Sequence, residues 1–344
     1  MPGRELMRSV TSMRVLAELA ADHGMSLGAC LAGTGVPEKS LADPAALVTA
    51  NQELRLIRNL VEYLGECPSL GLEAGRRYHF TAFGTLGLAM ISSPTMRSAL
   101  DVTMRYFGLT FAFTRFQVAD RDGETQIVLD DAGIPKELRR FIVERDACAL
   151  ITIQRDLFAQ QAPLQRLAFS FDRPAQAPEY KAVFGVSPLF AAPANLAVFD
   201  GRLLQLPLPQ ANELAQRAAE EQCRRLIGER SAQAGIVAQV RERLAASAPR
   251  MPDMDTLADQ LCMTTRTLRR RLLSENTSFI VLRDEVLLNM ARELLATSCL
   301  SIEQIGERLG YAESTCFINA FKRWTGQTPH AYRLMMRAER LGPR

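Results

Sequence analysis

Four arginines stand within six residues of the stretch TTRTLRRRLL, at positions 264–273. If this stretch is helical, Leu268 and Leu272 share one face, because residues four apart are neighbours on a helix. Three arginines then share the opposite face: Arg266, Arg269 and Arg270. Guanidinium groups bind phosphates and, bidentately, the guanine edge in the major groove. Since no Asp or Glu occurs between positions 260 and 274, the pattern indicates a surface for an anionic partner. A solvated helix face paired with distant acids is the alternative.

The residues around this stretch are repeated further along the chain. Leu257, Ala258 and Leu261 before the arginines correspond to Ile305, Gly306 and Leu309, at an offset of 48; Leu268 and Leu272 correspond to Phe317 and Phe321, at an offset of 49. Each copy reads as helix, tight turn and helix, with a small residue where the two helices approach. This pattern predicts two helix-turn-helix units, at 254–275 and 302–325, whose second helices would enter the major groove.

The second copy carries a different set of outward residues. By the same alignment its outer face holds Ser314, Thr315, Ile318 and Asn319, followed by Lys322 and Arg323. Hydroxyl and amide groups bond to bases, and an isoleucine can contact a thymine methyl, but the electrostatic attraction is weaker than that of three arginines. The first unit is therefore expected to dominate affinity. For Ser314 and Thr315 the alternative is that they only begin the helix.

The composition of the whole chain excludes several classes. Over 344 residues the formal net charge is only +3, so an affinity for nucleic acid must be local. The seven cysteines contain no CxxC pair and the three histidines are far apart, so neither a zinc site nor a disulfide framework is expected. The apolar stretch LGLAMI at 86–91 is far too short to span a membrane. No signal peptide is recognised, so a cytoplasmic protein is expected. No cofactor is expected either.

The first 210 residues have mixed periodicity. Helical patterns cover about 5–25, 51–64, 92–110 and 135–160, while 111–131 predicts two strands joined at Asp122-Gly123, and 164–171 and 195–209 predict further strands. From about residue 211 every pattern is helical, and 221–235 loses strong patterning. The expected architecture is an α+β domain over 1–220, a linker over 221–235, an all-α domain over 236–334 and a tail over 335–344.

The α+β domain contains no pattern typical of a catalytic site. No serine lies in a G-x-S-x-G turn, and no glycine-rich phosphate loop follows a strand. An aromatic-rich run could line an apolar pocket: Tyr106, Phe107, Phe111, Phe113 and Phe116. Such a run is more often simply core. The pocket interpretation would favour a small molecule with a hydrophobic part.

The C-terminal motifs resemble one known family. The stretch ADQLCMTTRTLRRRL, together with IGERLGYAESTCFINAFKRWTGQTPHAYR, is similar to the AraC/XylS family of bacterial transcription regulators, over roughly 236–334. The resemblance implies two helix-turn-helix units joined by a long helix, here about 279–297, that read successive major grooves of promoter DNA. Asn319 departs from the family, where an arginine is common. The stretches 83–100, 179–200 and 206–209 resemble the arabinose-binding-type sensory domain of the OruR/VirS-like subfamily.

These observations predict a sequence-specific DNA-binding regulator, not an enzyme, with a domain for effector sensing, dimerisation or both. Activation, which the resemblance makes the commoner role, would involve RNA polymerase, while a repressor would have the same sequence features. Two alternatives stay open. One is a small-molecule enzyme with a helical interaction tail, and the other is a ligand-independent DNA-binding repressor or architectural dimer.

Overall fold

The computed structural model describes residues 7–65, 69–158, 164–175, 177–233, 235–247, 251–275, 277–297, 300–311 and 313–341. The chain forms two compact units, Met7–Glu229 and Arg230–Arg344. The predicted α+β domain followed by an all-α domain is confirmed. Among the helices described, none is long and apolar enough to cross a membrane.

The N-terminal unit begins with a small helical layer. Two short strands, β1 (Arg8–Ser9) and β2 (Leu47–Val48), pair antiparallel, and four helices surround them. These helices are α1 (Thr11–Asp22), α2 (Leu27–Leu31), α3 (Ala50–Leu64) and α4 (Leu70–Gly75). Thr49 begins α3 with a reciprocal capping box that includes Gln52. The apolar faces of α1 and α3 form one core cluster.

A four-stranded antiparallel sheet forms the second part of this unit. Its strands are β3 (Arg115–Arg121), β4 (Glu124–Asp130), β5 (Leu164–Ala168) and β6 (Leu196–Asp200), in the order β3-β4-β6-β5. The predicted hairpin is present, and Asp122 and Gly123, with φ of 52° and 80°, make its two-residue turn. Inward residues of β4, such as Ile127 and Leu129, alternate with less buried ones.

Four more helices pack with this sheet and with the first layer: α5 (Thr85–Ile91), α6 (Met96–Arg105), α7 (Arg139–Leu157) and α8 (Ala177–Phe184). Helix α6 begins later than its predicted start near residue 92, because Thr95 caps it by accepting a hydrogen bond from the Ser98 amide at 3.1 Å. Gly75 of α4 lies against α7: a Cβ there would lie 2.4 Å from the Cys148 Cβ. Only glycine permits this approach.

The predicted linker over 221–235 lies mainly within a helix. Helix α9 (Glu213–Gln233) occupies most of it. Ala219 and Cys223, one turn apart on α9, are buried in a cluster with Leu204 and Leu157 of the N-terminal unit. The weak patterning of 221–235 reflects a helix that buries only a narrow stripe.

The C-terminal unit consists of seven described helices: α10 (Ile236–Ala246), α11 (Met254–Gln260), α12 (Thr265–Ser274), α13 (Phe279–Thr297), α14 (Ile302–Arg308), α15 (Ser314–Thr325) and α16 (Pro329–Leu341). Helix α13 has the bounds predicted for the long joining helix. Helix α16 extends into the predicted tail at 335–344, as Pro329 starts it and Tyr332 packs on Phe321 with ring centroids 5.5 Å apart.

Candidate nucleic-acid interface and N-terminal cavity

The turns between α11 and α12 and between α14 and α15 have the same hydrogen bonds. The Met263 amide donates to the Ala258 carbonyl at 3.0 Å, and the Tyr311 amide donates to the Gly306 carbonyl at 2.9 Å. Both bonds close a helix C-terminus around a residue with positive φ, Cys262 at 52° and Gly310 at 85°. The repeat read from the sequence is therefore a repeat of backbone geometry.

The predicted apolar positions hold both second helices on their cores. Leu268 and Leu272 of α12 are at most 1% exposed, and Phe317 and Phe321 of α15 are fully buried. Gly306 leaves room for Phe317, since a Cβ there would lie 3.3 Å from the Phe317 Cβ, closer than an ordinary van der Waals contact. With these side chains facing inward, the arginines of α12 must face outward.

Arg266, Arg269 and Arg270 are exposed, and none forms an ion pair with a residue that the structure describes. Thr264 caps α12 by accepting a hydrogen bond from the Thr267 amide at 3.2 Å. Asp255 of α11 accepts a hydrogen bond from the Thr265 hydroxyl at the start of this helix, at 2.6 Å, and not from an arginine. The outward face of α12 is therefore strongly basic and uncompensated.

The outward face of α15 is milder. Thr315, Asn319 and Lys322 are exposed, whereas Ser314 and Ile318 are only partly exposed. Arg323 is committed to another helix: its Nη2 lies 3.1 Å from Oδ2 of Asp284 on α13. Its predicted role at the interface must therefore compete with this ion pair.

Helix α13 packs against both units of the repeat. Leu282 and Val286 in its first half belong to the core of the first unit, and Leu287 and Ala291 in its second half belong to the core of the second. An ion pair between Glu285 and Arg241, 2.7 Å long, also joins α13 to α10. Both predicted reading helices are thus mounted on one continuous helix.

The N-terminal unit contains a largely apolar cavity of about 100 Å³, part of it open to solvent. One face of α7 lines it through Leu150, Ile153, Gln154 and Leu157. Helix α6 and the sheet supply the other walls, including Leu100, Thr103 and Phe199. Its apolar walls with a few polar groups are typical of a site for a small molecule.

Only some residues of the aromatic run line this cavity. Phe107 and Phe111 line it, and so does Phe116. Tyr106 and Phe113 do not line it. Tyr106 is buried in the neighbouring cluster with its hydroxyl 3.5 Å from Oε2 of Glu220, and Phe113 lies under the Arg8 guanidinium, 4.2 Å from ring centroid to Cζ. The prediction of these two as pocket residues is wrong, because their side chains pack against other parts of the N-terminal unit.

Buried charged residues lie beside the cavity, and the sequence patterns did not predict them. Arg145, 1% exposed, bonds to Oδ1 of Asp146 at 2.7 Å and to the Phe111 carbonyl at 2.9 Å. Burial opposes its charge, but Asp146 and Glu53 outweigh burial and raise the pKa of Arg145. Burial also raises the pKa of Tyr78 to about 12. The run Glu144-Arg145-Asp146 inside an apolar helical stretch was the available signal.

Both halves of the chain match known families. The family described as the arabinose-binding domain of AraC transcription regulators, N-terminal, matches residues 24–208. A helix-turn-helix domain family matches residues 257–335. The first match covers the unit with the cavity, and the second covers both copies of the repeated turn.

Several bacterial proteins are similar over nearly the whole chain. An HTH-type transcriptional regulator of Mycobacterium tuberculosis is 33% identical over 338 residues, 96% of this chain and 97% of that protein. The ornithine utilization regulator of Pseudomonas aeruginosa is 28% identical over 324 residues, 94% of this chain and 95% of that protein. The crystal structure of the transcriptional regulator CdpR from Pseudomonas aeruginosa aligns with a TM-score of 0.46 at 25% identity, over 94% of this chain and 98% of that one.

Proposed function

This chain belongs to the AraC family of DNA-binding transcription regulators, with an arabinose-binding-type N-terminal domain, and we propose that α12 and α15 read promoter DNA under the control of a small molecule bound in the N-terminal cavity. Residues 1–220 would sense the effector, and residues 236–334 would bind DNA. Since its target is chromosomal DNA, the protein would act in the cytoplasm.

A single observation carries the DNA-reading part of the proposal. The outward face of α12 presents Arg266, Arg269 and Arg270 to solvent without an ion-pair partner among the described residues. Three uncompensated guanidinium groups on a helix-turn-helix recognition helix attract phosphates and bond guanine edges. The proposed DNA contacts of α15 are Ser314, Thr315, Ile318, Asn319 and Lys322, with Arg323 contributing when it leaves Asp284.

The two helices are therefore unequal readers. We expect α12 to provide most of the affinity, and α15 to add base preference with little charge. Because the two helices carry different side chains, the preferred DNA site should be asymmetric. Because α13 joins the two units, the two elements of the site should lie about one helical turn apart.

The test selects DNA bound by the full-length protein from a randomised duplex library. Arg270→Ala should then weaken binding to the selected site about 5- to 150-fold and relax the preference at one base pair. Arg266→Ala should relax a different base pair. Arg271→Ala, which removes the same charge nearer the core side of α12, is the matched control and should weaken selected and random DNA alike. If all three variants lost the same affinity for random DNA as for the selected site, these arginines would contact phosphates only.

Two further parts of the proposal concern partners. Activation would require contact with RNA polymerase, and effector control would operate in a homodimer. A reporter with the selected site upstream of a weak promoter tests the first, since an activator raises transcription and a repressor lowers it. Sedimentation of the full-length protein with and without the selected DNA tests the second.

The enzyme alternative is disfavoured. The relatives named above are transcriptional regulators. The buried carboxylates are also engaged in structural ion pairs: Glu53 with Arg8 at 3.1 Å, Glu144 with Arg140 at 2.7 Å and Asp146 with Arg145 at 2.7 Å. A carboxylate held in this way is a poor general base.

A further inference from the structure

One polar group in the cavity wall has no protein partner. Gln154 is 7% exposed, and its amide nitrogen, Nε2, finds no hydrogen-bond acceptor among the described residues. Its neighbours in the wall are the apolar side chains of α7, Leu150, Ile153 and Leu157. Leaving a buried donor unsatisfied costs about 1–3 kcal/mol. A ligand with an acceptor atom would recover this cost.

The other polar groups of the wall already form hydrogen bonds within the protein. Thr103 donates to the Ala99 carbonyl at 2.8 Å, and Thr110 donates to the Phe107 carbonyl at 2.7 Å. Asp146 Oδ2 is occupied by the Thr114 amide and hydroxyl, at 2.9 and 2.8 Å. The Tyr78 hydroxyl bonds to the Ser12 hydroxyl at 2.7 Å, and Arg145 donates to Asp146 and to the Phe111 carbonyl. In the described part of the wall, Gln154 is therefore the residue whose buried donor has no protein acceptor.

The charges beside the cavity balance without a ligand. Two guanidinium groups, of Arg8 and Arg145, face two carboxylates, of Glu53 and Asp146. An anionic or cationic ligand head would therefore be buried without a free counter-charge, and burying an unpaired charge costs several kcal/mol. The charge balance favours an uncharged ligand.

We propose that the cavity binds an uncharged, mainly apolar molecule whose carbonyl oxygen accepts a hydrogen bond from Gln154. This inference rests on the proposed effector site and names the chemical class of the effector. Apolar walls supply most of the affinity, and the amide of Gln154 selects for the acceptor.

The cavity also touches the residues that hold α9. Leu157 and Leu204 line the cavity and pack in the same cluster as Ala219 and Cys223 of α9. Helix α9 extends to Gln233, beyond the end of the N-terminal unit at Glu229. A bound molecule thus contacts the side chains on which this helix rests.

The test uses three phenyl compounds of similar size: butyrophenone, a neutral ketone; butylbenzene, which lacks an acceptor; and phenylbutyrate, an anion. Calorimetry on the full-length protein should give the ketone about tenfold tighter binding than butylbenzene, as one hydrogen bond contributes about 1.4 kcal/mol. Phenylbutyrate should bind most weakly. The proposal would be overturned if phenylbutyrate bound more tightly than butyrophenone, or if none of the three compounds bound.

Gln154→Leu separates the hydrogen bond from the apolar cavity. The variant should bind both neutral compounds equally, and its melting temperature should not fall, because an unpaired buried amide is removed. Gln165→Leu, the same change at an exposed position of β5, should keep the tenfold preference. A ketone preference that survives in Gln154→Leu would contradict the proposed contact.

A DNA titration with the same compounds distinguishes the two proposals. If the ketone binds through Gln154 but leaves DNA affinity unchanged, the ligand class stands and effector control through this cavity fails. If DNA is bound with the expected arginine dependence while no compound enters the cavity, the ligand class alone fails.

Discussion

Cys262 and Gly310 occupy the same position in two copies of one turn, 48 residues apart, and both have a positive φ, 52° and 85°. Each lies two residues after the last residue of the first helix of a helix-turn-helix. Gly310 adopts this left-handed conformation without steric penalty, whereas Cys262 has a Cβ that disfavours it.

Cys262→Gly should therefore stabilise the protein by about 1 kcal/mol, because it relieves the strain of a non-glycine residue at positive φ. Denaturant unfolding of the full-length protein measures the change. Cys262→Ser is the matched control, since it removes the thiol but keeps the Cβ, and its stability should match the parent. Gly310→Ala should destabilise by at least as much as Cys262→Gly stabilises. A neutral Cys262→Gly would show that the first turn relaxes without strain.

Asn319→Arg should make the second reading helix resemble the first, since Asn319 corresponds to Arg270. An added guanidinium on this exposed face should tighten binding to random DNA and steepen the salt dependence by about one phosphate contact. Filter binding across a salt series measures the slope. His330→Arg adds a cation at an exposed position of α16 and is the control; an equal slope for both variants would argue against a DNA-facing Asn319.

Asp284→Asn should release Arg323 from its ion pair. The pair is largely exposed on the Arg323 side, 67%, so its loss should cost less than about 1 kcal/mol of stability. DNA affinity at low salt should rise about two- to fivefold, because a cation is freed and an anion is removed beside α15. Glu285→Gln makes the same charge change on α13 but frees Arg241 of α10. If both variants raise DNA affinity equally, the increase comes from the change in net charge and not from the release of Arg323.

Thiol labelling should divide the described cysteines by burial. Cys262 and Cys316 are exposed, while Cys30, Cys148 and Cys223 are buried. Burial raises the pKa of Cys148 from 9.0 to about 11, and that of Cys30 to about 11. At pH 8 an alkylating reagent should modify the two exposed cysteines in the folded protein and the three buried ones only after denaturation, as mass spectrometry can resolve. Alkylation of Cys148 as fast as Cys262 would contradict the packing of α4 on α7.

The raised pKa of Cys148 also predicts how stability changes at alkaline pH. Because the folded state favours the protonated thiol, this contribution to stability is complete below about pH 9 and is lost as the pH rises towards 11. Stability curves of the parent and of Cys148→Ala should converge over that window. Parallel curves would show that Cys148 does not titrate with unfolding.

Local periodicity was enough to place most helices and strands and the arginine face of α12. A helix repeats every 3.6 residues, so Leu268 and Leu272 alone determine which side of α12 is buried and which side carries the arginines. The repeat at an offset of 48 residues likewise located the second helix-turn-helix, because the same turn requires the same residue types in both copies. The family resemblance predicted the joining helix at 279–297, which the structure matches.

Only the tertiary structure decided which groups are occupied by distant partners. The pairing of Arg323 with Asp284 joins residues 39 apart and depends on how α15 packs on α13. The cavity likewise depends on α6, α7 and the sheet meeting, so the run from Tyr106 to Phe113 could not show by itself which aromatic rings line it. Gln154 appears in sequence as one polar residue of a long helix. Its importance arises because three elements enclose it in an apolar wall and leave its amide without a protein acceptor among the residues described.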